Sequence, residues 1–430
     1  MKRILTVATL LILVSSRVLC SEPEFDDYFR SGCLRVDLYH SGAGETEFYS
    51  IDEIIREKYW GGNPKSLIDD MNLGEYFYMV FDLETNNLIF SRGYCSLYGE
   101  WAVTDMAKTP PPAVFHETIR FPFPRKPVQV RISRRNRDNI FEDLSSFVID
   151  PDDYHIKTER KYNYFRTRTL VKSGKPSEKV DICIIADGYR SDQVHKMRKD
   201  AARLVDTLFS VEPFRSRKGD FNVRLVESVS EQSGVDQPRE GVYRDNLLDL
   251  TFNSLELDRY MVEADNRVVR DVAARVPYDR IILIANEDRY GGGGIFNFYS
   301  SCTTDNEYSG YVFVHEFGHS FAGLADEYYS SDVTYNDEMY PRGVEPWEPN
   351  ITAFSERGRV KWSDLIKKGT PLPTPDDSTH AGVTGCFEGA GYSAKGLYRS
   401  SRDCIMFSKS MHFCPACRRA IENMIDFQTR

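Results

Sequence analysis

The chain has 430 residues, 41% hydrophobic and 28% charged, with a formal net charge of −10. It is too long for one ordinary core, so more than one domain is expected, and its composition is that of a soluble globular protein. The acidic balance argues against nucleic acid as a partner, and the short basic run from Arg131 to Arg137 reads as a solvated strand edge.

In chain order, Lys2 and Arg3 precede an apolar stretch over residues 4–14. It is too short to span a bilayer and has the length of a signal-peptide core. Residues 1–20 are therefore expected to be a signal peptide, with acylation of Cys20 and a lipid anchor as the alternative. The protein is expected to be exported: secreted, periplasmic or held at the cell surface. No later stretch is long and apolar enough for a transmembrane segment. Export permits disulfides, and Cys33 and Cys95 are candidates to pair, whereas Cys183 lies in an apolar run and reads as a packed thiol.

Residues 24–150 read as a β-sandwich-like N-terminal domain. Residues 128–133 alternate apolar and polar, and the runs 76–81 and 88–90 are strand-like on either side of a turn at 84–87. Residues 151–178 are polar and rich in breakers and read as a connector. From 179 to 430 strand and helix patterns alternate, predicting strands at 180–186, 221–226 and 280–285, a helix over 193–208 and another within 255–276. The glycines at 291–294 are read either as a flexible loop or as the approach to an edge strand over 295–299 that receives an extended peptide. The expected fold class is α+β multidomain, a β-sandwich followed by an α/β catalytic domain.

The chemistry lies in His315-Glu316-Phe317-Gly318-His319. Histidines four apart on a helix share a face, about 6 Å apart along the axis, where one Zn²⁺ can take both imidazoles. Glu316 then faces the open side of the metal as a general base. A catalytic zinc usually takes a third protein ligand. The helix is expected to stop near Gly323, and either Asp326 or Glu327, just beyond, could complete the site. His116-Glu117 begins alike, but Arg120 stands where a second histidine would be, so it is read as an ordinary polar pair.

At this point the chain resembles the metzincin metallopeptidases, whose pattern is H-E-x-x-H-x-x-G-x-x-H. It departs by one extra residue before Gly323 and by lacking the third histidine. Asp326 keeps the spacing from glycine to ligand and is preferred to Glu327. Met406, in Cys404-Ile405-Met406-Phe407, is similar to the family's methionine turn. The longer string from His315 to Tyr328, with Cys404-Ile405-Met406 and Phe413-Cys414-Pro415-Ala416-Cys417, resembles the bacterial IgA-peptidase family of zinc metallopeptidases. This implies a secreted zinc endopeptidase with a metzincin-like catalytic domain at 179–430, one catalytic zinc and a protein or peptide substrate, with immunoglobulin and host glycoproteins as candidates.

Cys386, Cys404, Cys414 and Cys417 are read either as two disulfides or as a second, structural zinc site. Tyr328 is a candidate for oxyanion or substrate contact. The rival class is an exported surface binding module in which the zinc helix is structural.

Overall fold

The computed structural model describes residues 23–430 except 44–45, 110, 159–160, 331–334 and 336–338. The signal-peptide expectation and Cys20 lie outside the described residues.

The N-terminal half follows period-2 burial. A short helix α1 (Phe25–Tyr28) precedes β1 (Phe29–Ala43), β2 (Thr46–Glu57), β3 (Tyr76–Asp82), β4 (Leu88–Tyr94), helix α2 (Leu97–Ala102), β5 (Ala113–Pro124), β6 (Val128–Arg135) and β7 (Phe141–Ile149). They form two antiparallel sheets, ordered β2-β1-β5 and β4-β3-β6-β7. Alternate residues of both sheets, including Leu34, Val36, Tyr76, Tyr78, Phe121 and Val130, enter one core. Helix α2 starts where Ser96 Oγ accepts the Gly99 N–H at 3.2 Å, a local cap that offsets an orphan donor.

The second half is built on a six-stranded sheet of β8 (Arg166–Val171), β9 (Val180–Asp187), β10 (Phe221–Glu227), β11 (Arg280–Ala285), β12 (Gly292–Ile295) and β13 (Tyr299–Thr303). Its order is β12-β13-β11-β9-β10-β8, with parallel pairs inside and both edge strands antiparallel. Every residue of β9 and β11 is buried, because both sheet faces are covered. Cys183 and Ile185 join the core of the N-terminal sheets together with helix α4, which spans Asn266–Ala273 and follows α3 (Val194–Leu208) in the chain. Ile182 and Ile184 face the core built by α3, α5 (Ser309–Ala322) and α6 (Pro415–Thr429). Between α5 and α6 lies a small sheet of β14 (Ile351–Thr352), β15 (Phe387–Ala390) and β16 (Ser393–Arg399).

Three expectations change in detail and one is met. Residues 151–178 contain β8, which pairs with β10; its Arg-Thr-Arg-Thr start is exposed, the charged habit of an edge strand that discourages further pairing. The helix expected within 255–276 is α4, which starts where Asp265 caps it by accepting the Val268 N–H at 3.1 Å. The glycines are not a flexible loop: Gly292, Gly293 and Gly294 are themselves in the edge strand β12, and residues 296–298, the middle of the expected strand, form the turn before β13. The basic run is not a solvated edge throughout, since Arg135 is buried and donates from Nε to Gly74 O at 2.6 Å.

All eight described cysteines are free. Cys33 Sγ contacts Leu34 O at 3.6 Å, while Cys95 Sγ accepts the Glu75 N–H at 3.4 Å, so the expected Cys33–Cys95 pairing is absent. No disulfide joins Cys386, Cys404, Cys414 or Cys417 either.

Candidate active site

Helix α5 is apolar on most of its circumference, and Val312, Phe313, Val314, Phe317 and Phe321 are buried, as a helix inside a core should be. It ends at Gly323, whose φ of 62° is left-handed. The Gly323 N–H reaches His319 O at 3.0 Å and the Leu324 N–H reaches Gly318 O at 3.4 Å. These bonds take up last-turn carbonyls and swing the chain back along the helix, so that Asp326 returns to the histidines.

His319 Nδ1 lies 2.5 Å from Leu324 O, and His315 Nδ1 lies 2.9 Å from Ile405 O. A carbonyl only accepts, so each Nδ1 carries a hydrogen and each Nε2 is left to take a proton or a cation. The two Nε2 atoms are 3.1 Å apart, and Asp326 Oδ1 sits 3.2 Å from that of His315 and 3.3 Å from that of His319. Asp326 Oδ1 is buried without a hydrogen-bond partner. Its other oxygen accepts from Tyr392 Oη at 2.5 Å, which fixes the carboxylate. Two imidazole lone pairs and an otherwise orphaned carboxylate oxygen on one point form a donor set that fits a zinc ion.

The electrostatics follow from this crowding. Burial acts to raise the Asp326 carboxyl, but His319 and His315 outweigh it and hold it well below the usual carboxylate range. Burial lowers His319, and Asp326 more than compensates, taking it up to about 9. Burial pushes the Glu316 carboxyl above its ordinary value, which brings it closer to a proton acceptor's working range.

Strand β12 runs directly over α5. A Cβ on Gly294 would collide with the Glu316 carbonyl oxygen and come within 3.1 Å of His319 Cβ. A Cβ on Gly292 would meet Val312 Cγ1 at 2.6 Å. The glycine run is thus what lets the edge strand approach the histidines. Beneath the helix, Met406 is fully buried, and its Sδ would lie 3.2 Å from a Cβ placed on Gly318.

These groups face a cleft of about 670 Å³ lined by both halves of the chain. The N-terminal half contributes Glu47, Glu75, Glu100, Arg134 and Arg135; the second half adds Arg259, Tyr260, Gly292, Gly294, Tyr328 and Tyr392. Glu100 accepts from Tyr260 Oη and, at 3.0 Å, from Tyr335 Oη, and burial pushes it up to about 7. Burial, aided by Asp326, holds the Tyr328 hydroxyl well above its usual range, so it stays a neutral donor.

Among the sequence candidates, His315, Glu316, His319, Asp326 and Tyr328 all line this cleft. Glu327 does not: it is fully buried and contacts Cys414 and Cys417. Cys386 sits apart, its Sγ 3.6 Å from Phe354 O. Sequence reasoning missed Tyr392, Arg259, Glu100 and Tyr335, which come from remote parts of the chain and carry no local motif.

Comparison with known proteins adds independent findings. The family model described as IgA Peptidase M64 matches residues 169–380 and 376–425. The model described as Peptidase M64 N-terminus matches residues 24–146. No curated protein matches the chain.

Proposed function

The chain belongs to the IgA peptidase M64 family and is a peptide hydrolase; from that premise we propose that it is an exported, zinc-dependent endopeptidase with a metzincin-like catalytic domain. The observation that carries the reading is the convergence of His315 Nε2, His319 Nε2 and Asp326 Oδ1 within 3.3 Å of one another, with Glu316 alongside. His315, His319 and Asp326 would hold the zinc. When bound, it supplies Lewis acidity, polarising the scissile carbonyl and lowering the pKa of water towards about 7.

The chain's own residues do the rest. The Ile405 and Leu324 carbonyls keep both imidazoles in one tautomer and orientation. Strand β12 pairs along one edge with β13, and its other edge is bridged to Tyr260 at Gly292; beyond that bridge, at Gly294, the edge can take an extended substrate by strand addition. Its glycines leave no side chain between that peptide and the histidines. Glu316 removes a proton from the attacking water and delivers it to the leaving amine nitrogen. Tyr328, protonated and in the cleft, is the donor nearest in kind to what a developing oxyanion needs. Met406 supports the helix from below and touches no substrate.

Protein substrates that present an extended segment suit this cleft, and immunoglobulins and host glycoproteins are the first to test. The binding-module alternative is disfavoured by Glu316, since a structural zinc helix has no use for a half-buried carboxyl facing a cleft. Glu316→Gln is the deciding variant. It should keep its zinc on elemental analysis and lose about 10²–10⁴-fold in hydrolysis of a protein panel. Cleavage at the wild-type rate would remove Glu316 from the mechanism; zinc with no cleavage of any substrate by the wild type would favour the binding module.

A further inference from the structure

Immediately behind the cleft floor lies a second convergence that peptide hydrolysis does not use. Glu327, Cys404, Cys414 and Cys417 are at most 1% exposed, and one ligand atom from each lies within 4.8 Å of all the others. Glu327 Oε1 is 3.2 Å from Cys417 Sγ and 3.4 Å from Cys414 Sγ, and Cys404 Sγ is 3.8 Å from Cys417 Sγ. A tetrahedral zinc with bonds of about 2.3 Å to sulfur and about 2.0–2.2 Å to oxygen separates its ligands by about 3.4–3.8 Å. These three contacts, 3.2 to 3.8 Å, lie close to that spacing.

The surroundings favour anionic ligands. Backbone N–H groups point at the sulfurs: Met406 and Cys414 at Cys404 Sγ, 3.5 and 3.3 Å, and Cys417 at Cys414 Sγ, 3.4 Å. Ser400 Oγ lies 3.0 Å from Cys414 Sγ. Asn350 Nδ2 donates to Glu327 Oε1 at 3.1 Å, while Glu327 Oε2 is buried without a partner. A buried carboxylate is costly without a cation, and among the described residues no cationic side chain is a hydrogen-bond partner of Glu327. A disulfide does not resolve this. It would join two of three cysteines and leave the third thiol and Glu327 unmatched.

We propose that Glu327, Cys404, Cys414 and Cys417 form a second metal site, closed by four protein ligands, that takes a thiophilic divalent cation such as zinc. Cys386, expected from sequence as the fourth member, is replaced by Glu327. The site has no open position and performs no chemistry. It clamps the segment 404–406, whose Ile405 carbonyl orients His315 and whose Met406 underlies α5, to the residue that follows Asp326.

The test is zinc content of the full-length protein alongside a double variant, His315→Ala with His319→Ala, which empties the cleft and leaves the thiols intact. Wild type should carry two equivalents and the double variant one. Cobalt loaded into the double variant should give thiolate-to-cobalt charge-transfer absorption in the near ultraviolet. Cys417→Ser, if folded by circular dichroism, should lose one equivalent; if it does not fold, the double variant alone decides. A folded double variant that takes up no zinc or cobalt, or peptide mapping that finds a disulfide among Cys404, Cys414 and Cys417, overturns the proposal.

Discussion

His40 in the N-terminal half and the His315–His319 pair in the second half both meet carboxylates inside the fold, yet their ring nitrogens are used differently. His40 has a carboxylate on each nitrogen: Glu117 Oε1 at 2.5 Å from Nδ1 and Glu47 Oε1 at 2.6 Å from Nε2. Both oxygens accept, so the ring is an imidazolium closed on every side, and it is sandwiched between Tyr49 and Tyr98 at 4.0 and 3.7 Å. His315 and His319 instead spend Nδ1 on neutral carbonyls and leave Nε2 pointing at a common centre. The same side-chain types therefore build a fixed charge in one place and a ligand set in the other. What decides is whether the second nitrogen is satisfied within the fold.

The comparison can be broken most severely at His319. His319→Ala removes a ligand from the open cluster, so zinc content should fall by one equivalent and peptidase activity to background while the N-terminal half stays folded. Full activity in a variant that has lost this equivalent would dissolve the distinction. The closed cluster should respond in stability instead. His40→Gln leaves Glu117 buried without its counter-charge, while Glu47 keeps Arg134 at 2.6 Å, and should cost about 3–5 kcal/mol in denaturant unfolding, with zinc affinity unchanged.

A smaller effect separates orientation from ligation. Tyr392→Phe removes the hydrogen bond to Asp326 Oδ2 and should weaken zinc binding by about 10–100-fold in chelator competition, with the fold intact. An unchanged affinity would mean that Asp326 is held by its backbone alone.

The mildest probe is pH. Burial lowers His40, but Glu117 and Glu47 outweigh it and raise it from 6.5 to about 9. A raised histidine stabilises fully below its unfolded value, and that stabilisation is lost as pH rises through the folded value. Wild-type unfolding midpoints should therefore decline between 6.5 and about 9, and His40→Gln should lack that decline. An identical pH profile in the two proteins would show that the ring is not charged.

The helix carrying His315, Glu316 and His319, the buried strands around 180 and 280, and the Asp326 position were legible because each depends on local spacing or on a continuous apolar run. What stayed hidden depends on distant residues meeting. Tyr392 reaches Asp326 across 66 positions, and Glu100 enters the cleft from the N-terminal half. Strand β8 was hidden because a charged edge strand looks like a linker. The glycines at 292–294 were hard to read because glycine marks loops in most sequences, whereas here it marks two backbones in near contact. Glu327 looked like a weaker copy of Asp326, since nothing local announces three cysteines gathered from 404 to 417.

Asp326 and Glu327 are consecutive, but the first carboxylate lies against two histidines and the second against three sulfurs. The number of residues after Gly323 therefore assigns a carboxylate to each site. Deleting one residue between Gly323 and Asp326 would slide Glu327 towards the histidines and present Tyr328 to the sulfurs, disabling both centres in one step. This short segment should accept changes of side chain at Leu324 and Ala325 far more readily than any change of length.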